Sequence, residues 1–262
     1  MKKIFLVLAT GLFALACNNN KQTAETPKNA DLMQQNLKGK IQHIEAAPYK
    51  VDSTGKIGEL DTCCTEIQDF DEKGYSTKYF TKDNKGTLKD EFSYTRYDNG
   101  LLKEWVVTNG GKKKSSLSIQ LKKDGNYGDA QNYDSTGKMD AYYTDVTANE
   151  YGNVTGWKKY KPDSTLQSTW SGVFDKNIWV SSTTTDSTGK VNGTYKAKND
   201  EKGNIIEFSS TEIKKDSTTT KEMTYKYESY DDLGNWTQQT EYDNKGKPTK
   251  IVKRTIIYYK MD

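Results

Sequence analysis

Apolar and polar residues alternate with a period of two over short stretches of this chain. Between Thr218 and Tyr230, Met223, Tyr225 and Tyr227 fall on one parity, while Glu222, Lys226 and Glu228 fall on the other. From Thr87 to Tyr97, Leu88, Phe92 and Tyr94 alternate with Lys89, Glu91 and Thr95. This is the pattern of a β-strand with one apolar face. The last segment departs from it: Ile256, Ile257, Tyr258 and Tyr259 put bulk on both faces. Such a strand is expected where a sheet folds over itself or meets the N-terminal segment.

The stretches are separated by a recurring turn. It is clearest in Tyr230-Asp231-Asp-Leu-Gly234 and Tyr242-Asp243-Asn-Lys-Gly246. Asp at the head of a tight turn accepts backbone N–H groups two and three positions on, and Gly takes the positive φ of a type I turn with a bulge. Related turns begin at Asp52, Asp71, Asp83, Asp98, Asn109, Asp124, Asp134, Glu150, Asp163, Asp175, Asp186, Asp200 and Asp216, mostly 11 to 16 residues apart. Each interval holds one strand and leaves no room for a helix. The expectation is an all-β fold, a long antiparallel β-meander of about 16 strands.

An open sheet that wide would measure roughly 75 Å at about 4.8 Å per strand, so it must coil or close. The hydrophobic fraction is 33%, with 18 Tyr against 7 Phe. That suits a strongly twisted or spirally wound, partly closed sheet with one half-buried face. A membrane-spanning barrel is excluded by the absence of a continuous apolar outward face and by a charged fraction of 29%.

The N-terminus is of another kind. Met1-Lys2-Lys3 leads into an apolar run from Ile4 to Ala16, which reads as a signal peptide over residues 1–16. Ala14-Leu15-Ala16-Cys17 resembles a bacterial lipobox, and the resemblance implies that Cys17 carries lipid and that the membrane is a partner through it. Ala14 stands where most lipoboxes have Leu. Asn18 follows, and by the sorting rule of well-studied lipoproteins this implies the outer membrane, with the periplasmic or surface leaflet left open. Residues 17–36 then form a polar tether with a reach of roughly 25 Å as a random coil, and 37–262 form the sheet domain. Without Lys2 and Lys3 the chain has 37 basic and 36 acidic residues, and its arginines are Arg96 and Arg254. This balance argues against nucleic acid as a partner.

The repeated aromatic-Asp-x-x-Gly-x-apolar unit resembles the YD repeat of Rhs-type proteins. The entry Leu37-Lys-Gly-Lys-Ile41 followed by Phe70-Asp71-Glu-Lys-Gly74 is similar to repeat lipoproteins of Bacteroidota type. The resemblance covers about residues 37 to 259 and implies architecture; its matching residues are turn-formers and bring no catalytic group. Asp-Ser-Thr occurs five times, at Ser53, Ser135, Ser164, Ser187 and Ser217. It resembles the acceptor of periplasmic O-glycosylation in the same bacterial group, which makes these serines candidate glycan sites. Turn chemistry alone also favours Asp-Ser-Thr-Gly.

No convergent catalytic set is visible. His43 is the sole histidine and reads as a strand residue without a triad. Cys63 and Cys64 are neighbours on a strand, pointing to opposite faces, and read as two incidental thiols rather than a bridge. The turn aspartates stand one per turn, which suits capping rather than calcium. No cofactor is expected. Trp105, Trp157, Trp170, Trp179 and Trp236 are the candidate binding face; packing on the apolar face is the competing reading. The reading preferred from sequence is a non-enzymatic binding or scaffold module for an envelope protein or polysaccharide. A glycan hydrolase with two carboxylates, or an immunity or chaperone partner of a secreted toxin, are the alternatives.

Overall fold

The computed structural model describes residues 26–52, 54–214 and 217–260. Helix α1 (Asp31–Gln34) is followed by β1 (Ile41–Val51), β2 (Ile57–Leu60), β3 (Cys63–Phe70), β4 (Ser76–Asp83), β5 (Leu88–Arg96) and β6 (Leu102–Asn109). Next come β7 (Lys112–Leu121), β8 (Tyr127–Tyr133), β9 (Met139–Ala148), β10 (Val154–Tyr160), β11 (Leu166–Asp175) and β12 (Ile178–Asp186). The chain ends with β13 (Val191–Asn199), β14 (Ile205–Lys214), β15 (Ser217–Tyr230), β16 (Trp236–Asp243) and β17 (Pro248–Tyr258).

From β3 to β17 every strand pairs antiparallel with its neighbour in sequence, and β1 pairs with both β17 and β3. The meander therefore closes completely. β2 pairs only with the end of β1, so β2 and β3 share one place and the ring has 16 strands. Closure solves the problem of a wide sheet by removing both edges. The doubly apolar last strand also finds its reason: β17 closes the ring onto β1, and Ile256 and Tyr258 pack on Leu32, Leu37, Ile41, Ile44 and Phe70.

The turns work by the mechanism expected, with one shift. At Asp71 the carboxylate Oδ1 accepts N–H bonds from Lys73 at 3.0 Å and Tyr75 at 2.9 Å, so the second donor lies four positions on rather than three. The same pair of bonds recurs at Asp83, Asp134, Asp186, Asp200, Asp231 and Asp243. Where the sequence places Glu150 at a turn head, Asn149 holds the post, accepting from Tyr151 and Asn153 at 3.1 Å each.

A closed meander sends alternate turns to opposite ends of the barrel. At one end the N-terminal segment lies across the mouth. Residues 26–36, expected as tether, fold here because Ala30 and Leu32 are buried among barrel side chains. The segment bonds to turn after turn: Leu32 N–H to Gly74 O at 3.1 Å, Asn29 Nδ2 to Asn99 O at 3.0 Å, and Gln34 Nε2 to Tyr151 O at 3.2 Å. Asn36 Nδ2 then reaches Lys202 O at 2.6 Å, and Lys38 exchanges two bonds with the Asn235 amide. Cys17 lies outside the described residues.

Cys63 and Cys64 correct the sequence reading. Their peptide is cis and their sulfurs are joined in a disulfide between adjacent residues. The expectation of two separate thiols rests on the regular strand, in which adjacent side chains point to opposite faces.

Candidate functional site

Residues facing one another across a ladder share a face, so the register sorts the barrel into two surfaces. One face runs through Tyr79, Phe92 and Val107, and through Tyr225 and Tyr227 with their partners Glu241 and Gln239. It closes on itself through Arg254, Ala46 and Glu66. Burial raises the hydroxyl pKa of Tyr79, Tyr94, Tyr143, Tyr225 and Tyr227 on this face. It is the inner wall. The other face carries rows such as Ser171, Thr183, Thr194, Thr211 and Thr220, or Ser181, Lys196, Ser209 and Glu222. These rows are polar, and among the described residues single exposed apolar side chains such as Val173 and Ile257 stand on the same surface.

All five tryptophans stand on the inner wall. Trp157 and Trp170 are cross-strand partners and stack, with ring centroids 6.0 Å apart and planes 14° apart. Tyr143 meets Trp157 edge-on at 5.4 Å, and Phe92 lies between Tyr79 at 5.6 Å and Trp105 at 6.1 Å. Trp179 packs on Phe208 at 6.2 Å and is buried, whereas Trp105, Trp157, Trp170 and Trp236 remain half-buried. Sequence reasoning found these residues; their convergence on one enclosed wall depends on ring closure, which no local pattern states.

The wall also holds charge that the sequence reading missed. Arg254 lies flat on Trp236, its guanidinium carbon 3.4 Å from the ring centroid. Burial lowers its pKa to about 10, against the favourable fields of Tyr227 and Glu66. Glu66 is accessible to water yet surrounded by protein, and burial pushes its carboxyl up while Arg254 and a hydrogen bond with Tyr79 pull it down. Accessibility combined with enclosure is what an inner wall facing a water-filled space produces. Toward the end away from the N-terminal segment, Glu212, Thr219 and Lys221 face inward and are exposed. A signal for this cluster existed in the scarcity of arginine, since the chain has two and places both in the barrel interior.

The remaining candidates lie elsewhere. His43 Nδ1 sits 2.7 Å from Asp69 Oδ1 on the outer face, beside a shallow cavity of about 490 Å³ lined by Gln42, Phe70, Ile257 and Tyr259. A second cavity of about 450 Å³ separates the turn around Gly55 from the outer face of β15 to β17. Ser135, Ser164, Ser187 and Ser217 are exposed; the first three belong to turns at the end opposite the N-terminal segment, and Ser217 begins β15 at that same end. Ser53 lies outside the described residues, though its turn is at that same end. Among the described residues no group of three or more His, Cys, Asp or Glu side chains is placed to hold a metal ion.

No family model and no curated protein matches the sequence. Solved structures do. A porin-like protein from Bacteroides uniformis aligns at 13% identity over 83% of this chain and 96% of its own, with a TM-score of 0.54. A porin-like protein from Bacteroides vulgatus aligns at 12% identity over 86% of this chain and 100% of its own, with a TM-score of 0.36. The Tc holotoxin pore of Photorhabdus luminescens aligns at 16% identity over 79% of this chain, which spans 11% of that chain, with a TM-score of 0.33. At these identities the likeness to the first is one of fold, and the fold shared is the antiparallel β-barrel.

Proposed function

We propose that the protein is a lipid-anchored module of the outer membrane that binds a polysaccharide chain inside its barrel, without a catalytic step. The carrying observation is the inner wall: four tryptophans are half-buried rather than sealed, and they stand among tyrosines, Arg254 and Glu66. Flat aromatic faces suit the apolar faces of sugar rings, while the polar groups between them suit hydroxyls. The wall is reached from the end opposite the N-terminal segment. With Cys17 lipidated, the covered end faces the membrane and the open end faces away from it.

Every tryptophan lies on this wall, so intrinsic fluorescence reports its occupancy. Titration of the full chain with envelope oligosaccharides should give a saturable change, and Trp170→Ala should weaken binding about tenfold by removing one face of a stacked pair. Flat titrations across the oligosaccharides, together with stoichiometric capture of one envelope protein by cross-linking, would transfer the role to a protein partner.

A further inference from the structure

The arrangement around Arg254 narrows the saccharide class. Stacking on Trp236 occupies the π-face of the guanidinium and leaves its N–H groups available in the plane. Nε is buried and has no hydrogen-bond partner, and Arg254 enters no ion pair among the described residues. A desolvated cation in this state is costly, and the cost falls when a bidentate acceptor arrives.

The space for such an acceptor is defined by the register. Arg254, Ala46 and Glu66 stand side by side on β17, β1 and β3. Ala46 puts only a methyl group between them, so the register sets the cation and the carboxylate one strand apart on either side of the smallest side chain of the row, and this is the gap considered for a ligand. Tyr227 cannot fill it: its hydroxyl donates to Ile205 O at 2.9 Å and accepts from Gln239 Nε2 at 3.2 Å. Lys250, two inward positions back along β17 beyond Val252, is paired with Glu241 at 3.7 Å.

We propose that this gap receives the carboxylate of an acidic sugar, a uronic acid unit of the bound chain, with Arg254 gripping both carboxylate oxygens and Glu66 accepting a neighbouring hydroxyl. The inference rests on the reading of the barrel interior as a polysaccharide site. A planar carboxylate matches the planar fork of Arg254 and carries one negative charge past Glu66. A phosphate dianion would bring twice that charge to the same carboxylate.

The test compares tetragalacturonate with its fully methyl-esterified counterpart on the full chain, read by tryptophan fluorescence at low salt. The acid form should bind at least about tenfold tighter, as a charge-assisted pair requires. Arg254→Gln should abolish that difference by weakening the acid form much more than the ester. Glu66→Gln should tighten the acid form by removing a competing negative charge. Arg254→Lys, which keeps the charge and loses the fork, should retain only part of the preference, and it decides the matter together with Glu66→Gln if Arg254→Gln fails to fold. Equal binding of acid and ester by the unaltered protein would overturn the acidic-sugar inference and leave the polysaccharide reading in place. So would a preference that neither Arg254→Lys nor Glu66→Gln alters. Binding of neither form would overturn both.

Discussion

Asp31, in the short helix of the N-terminal segment, forms a buried ion pair with Arg96 at the end of β5. The carboxylate also accepts the backbone N–H of Ser76. Arg96 in turn stacks on the Tyr75 ring at 4.9 Å and donates to Gly100 O at 3.0 Å. One acidic side chain thus fastens the segment to two adjacent hairpins. Asp31→Ala leaves the Arg96 charge buried without its partner, which should cost about 3–5 kcal/mol. Denaturant unfolding should register that loss. Hydrogen exchange should show early opening of residues 29–38 and of the turn at Gly74, with β11 to β14 protected as before.

Acid should attack the two ends of the barrel unequally. Hydrogen bonds from Thr side chains or backbone N–H groups hold Asp52, Asp134, Asp163, Asp186 and Asp243 below the ordinary carboxylate range. Lys89 and two backbone N–H groups bring Asp83 down to about 2. A lowered folded pKa contributes stability that is complete above the unfolded value of about 3.9 and disappears as pH falls through the folded value. All six turns lie at the open end; at the covered end one turn aspartate, Asp124, is lowered in the same way, by the Asn126 N–H and side chain. Asp31 at the covered end has the opposite shift, because burial raises it despite Arg96, so its protonation does not add to the loss. Between about pH 4 and pH 2 the melting temperature should therefore fall, with amide protection lost first at the turns of the open end. Uniform loss at both ends would contradict this assignment.

These effects show what the sequence could and could not convey. The turn chemistry was legible because each Asp-x-x-Gly unit contains its own donors, acceptors and permissive glycine; Asp243 and Gly246 need nothing from elsewhere. The strands were legible because Phe92 and Tyr94 alternate with Glu91 and Thr95. Ring closure was not, because it rests on Ala46 meeting Arg254 across 208 positions. The N-terminal segment looked like tether because its contacts are scattered, single bonds from Asn29, Gln34 and Asn36 to distant turns, and such bonds leave no periodicity. The five tryptophans were legible as candidates, but their shared orientation follows only from the closed register.

Glycine positions separate conformation from crowding. Gly86 and Gly100 both sit at positive φ, 79° and 83°. A Cβ on Gly86 meets nothing within 4 Å, while one on Gly100 comes within 1.9 Å of the Tyr75 hydroxyl. Gly86→Ala should cost about 1–2 kcal/mol from the left-handed backbone alone. Gly100→Ala adds displacement of Tyr75, whose hydroxyl bonds Asn29 Oδ1 at 2.8 Å, and so should loosen the N-terminal segment as well. Paired thermal melts test the ranking; equal losses would mean that Tyr75 moves aside freely.

The Asp-Ser-Thr turns offer a modification pattern that the fold makes specific. In the turns at Asp52, Asp134 and Asp186 the threonine hydroxyl is engaged, donating to the aspartate Oδ1 at 2.7, 2.7 and 2.6 Å. Ser135 and Ser187 are exposed one position earlier, at the tip of the turn. If the five serines carry glycans in the native envelope, modification should fall on serine rather than on the neighbouring threonine, since the threonine proton is committed to the turn. The sugars would then ring the open end and leave the covered end bare. Peptide mass spectrometry with fragmentation of native protein should locate hexose-containing masses on Ser135 and Ser187. Ser187→Ala should remove its share of mass with little change in stability, because the Asp186 carboxylate keeps its bonds to Thr188 and Lys190. Unmodified serines in protein taken from its own envelope would reduce the recurrence to turn chemistry, in which Ser is one of several small polar residues suited to the tip.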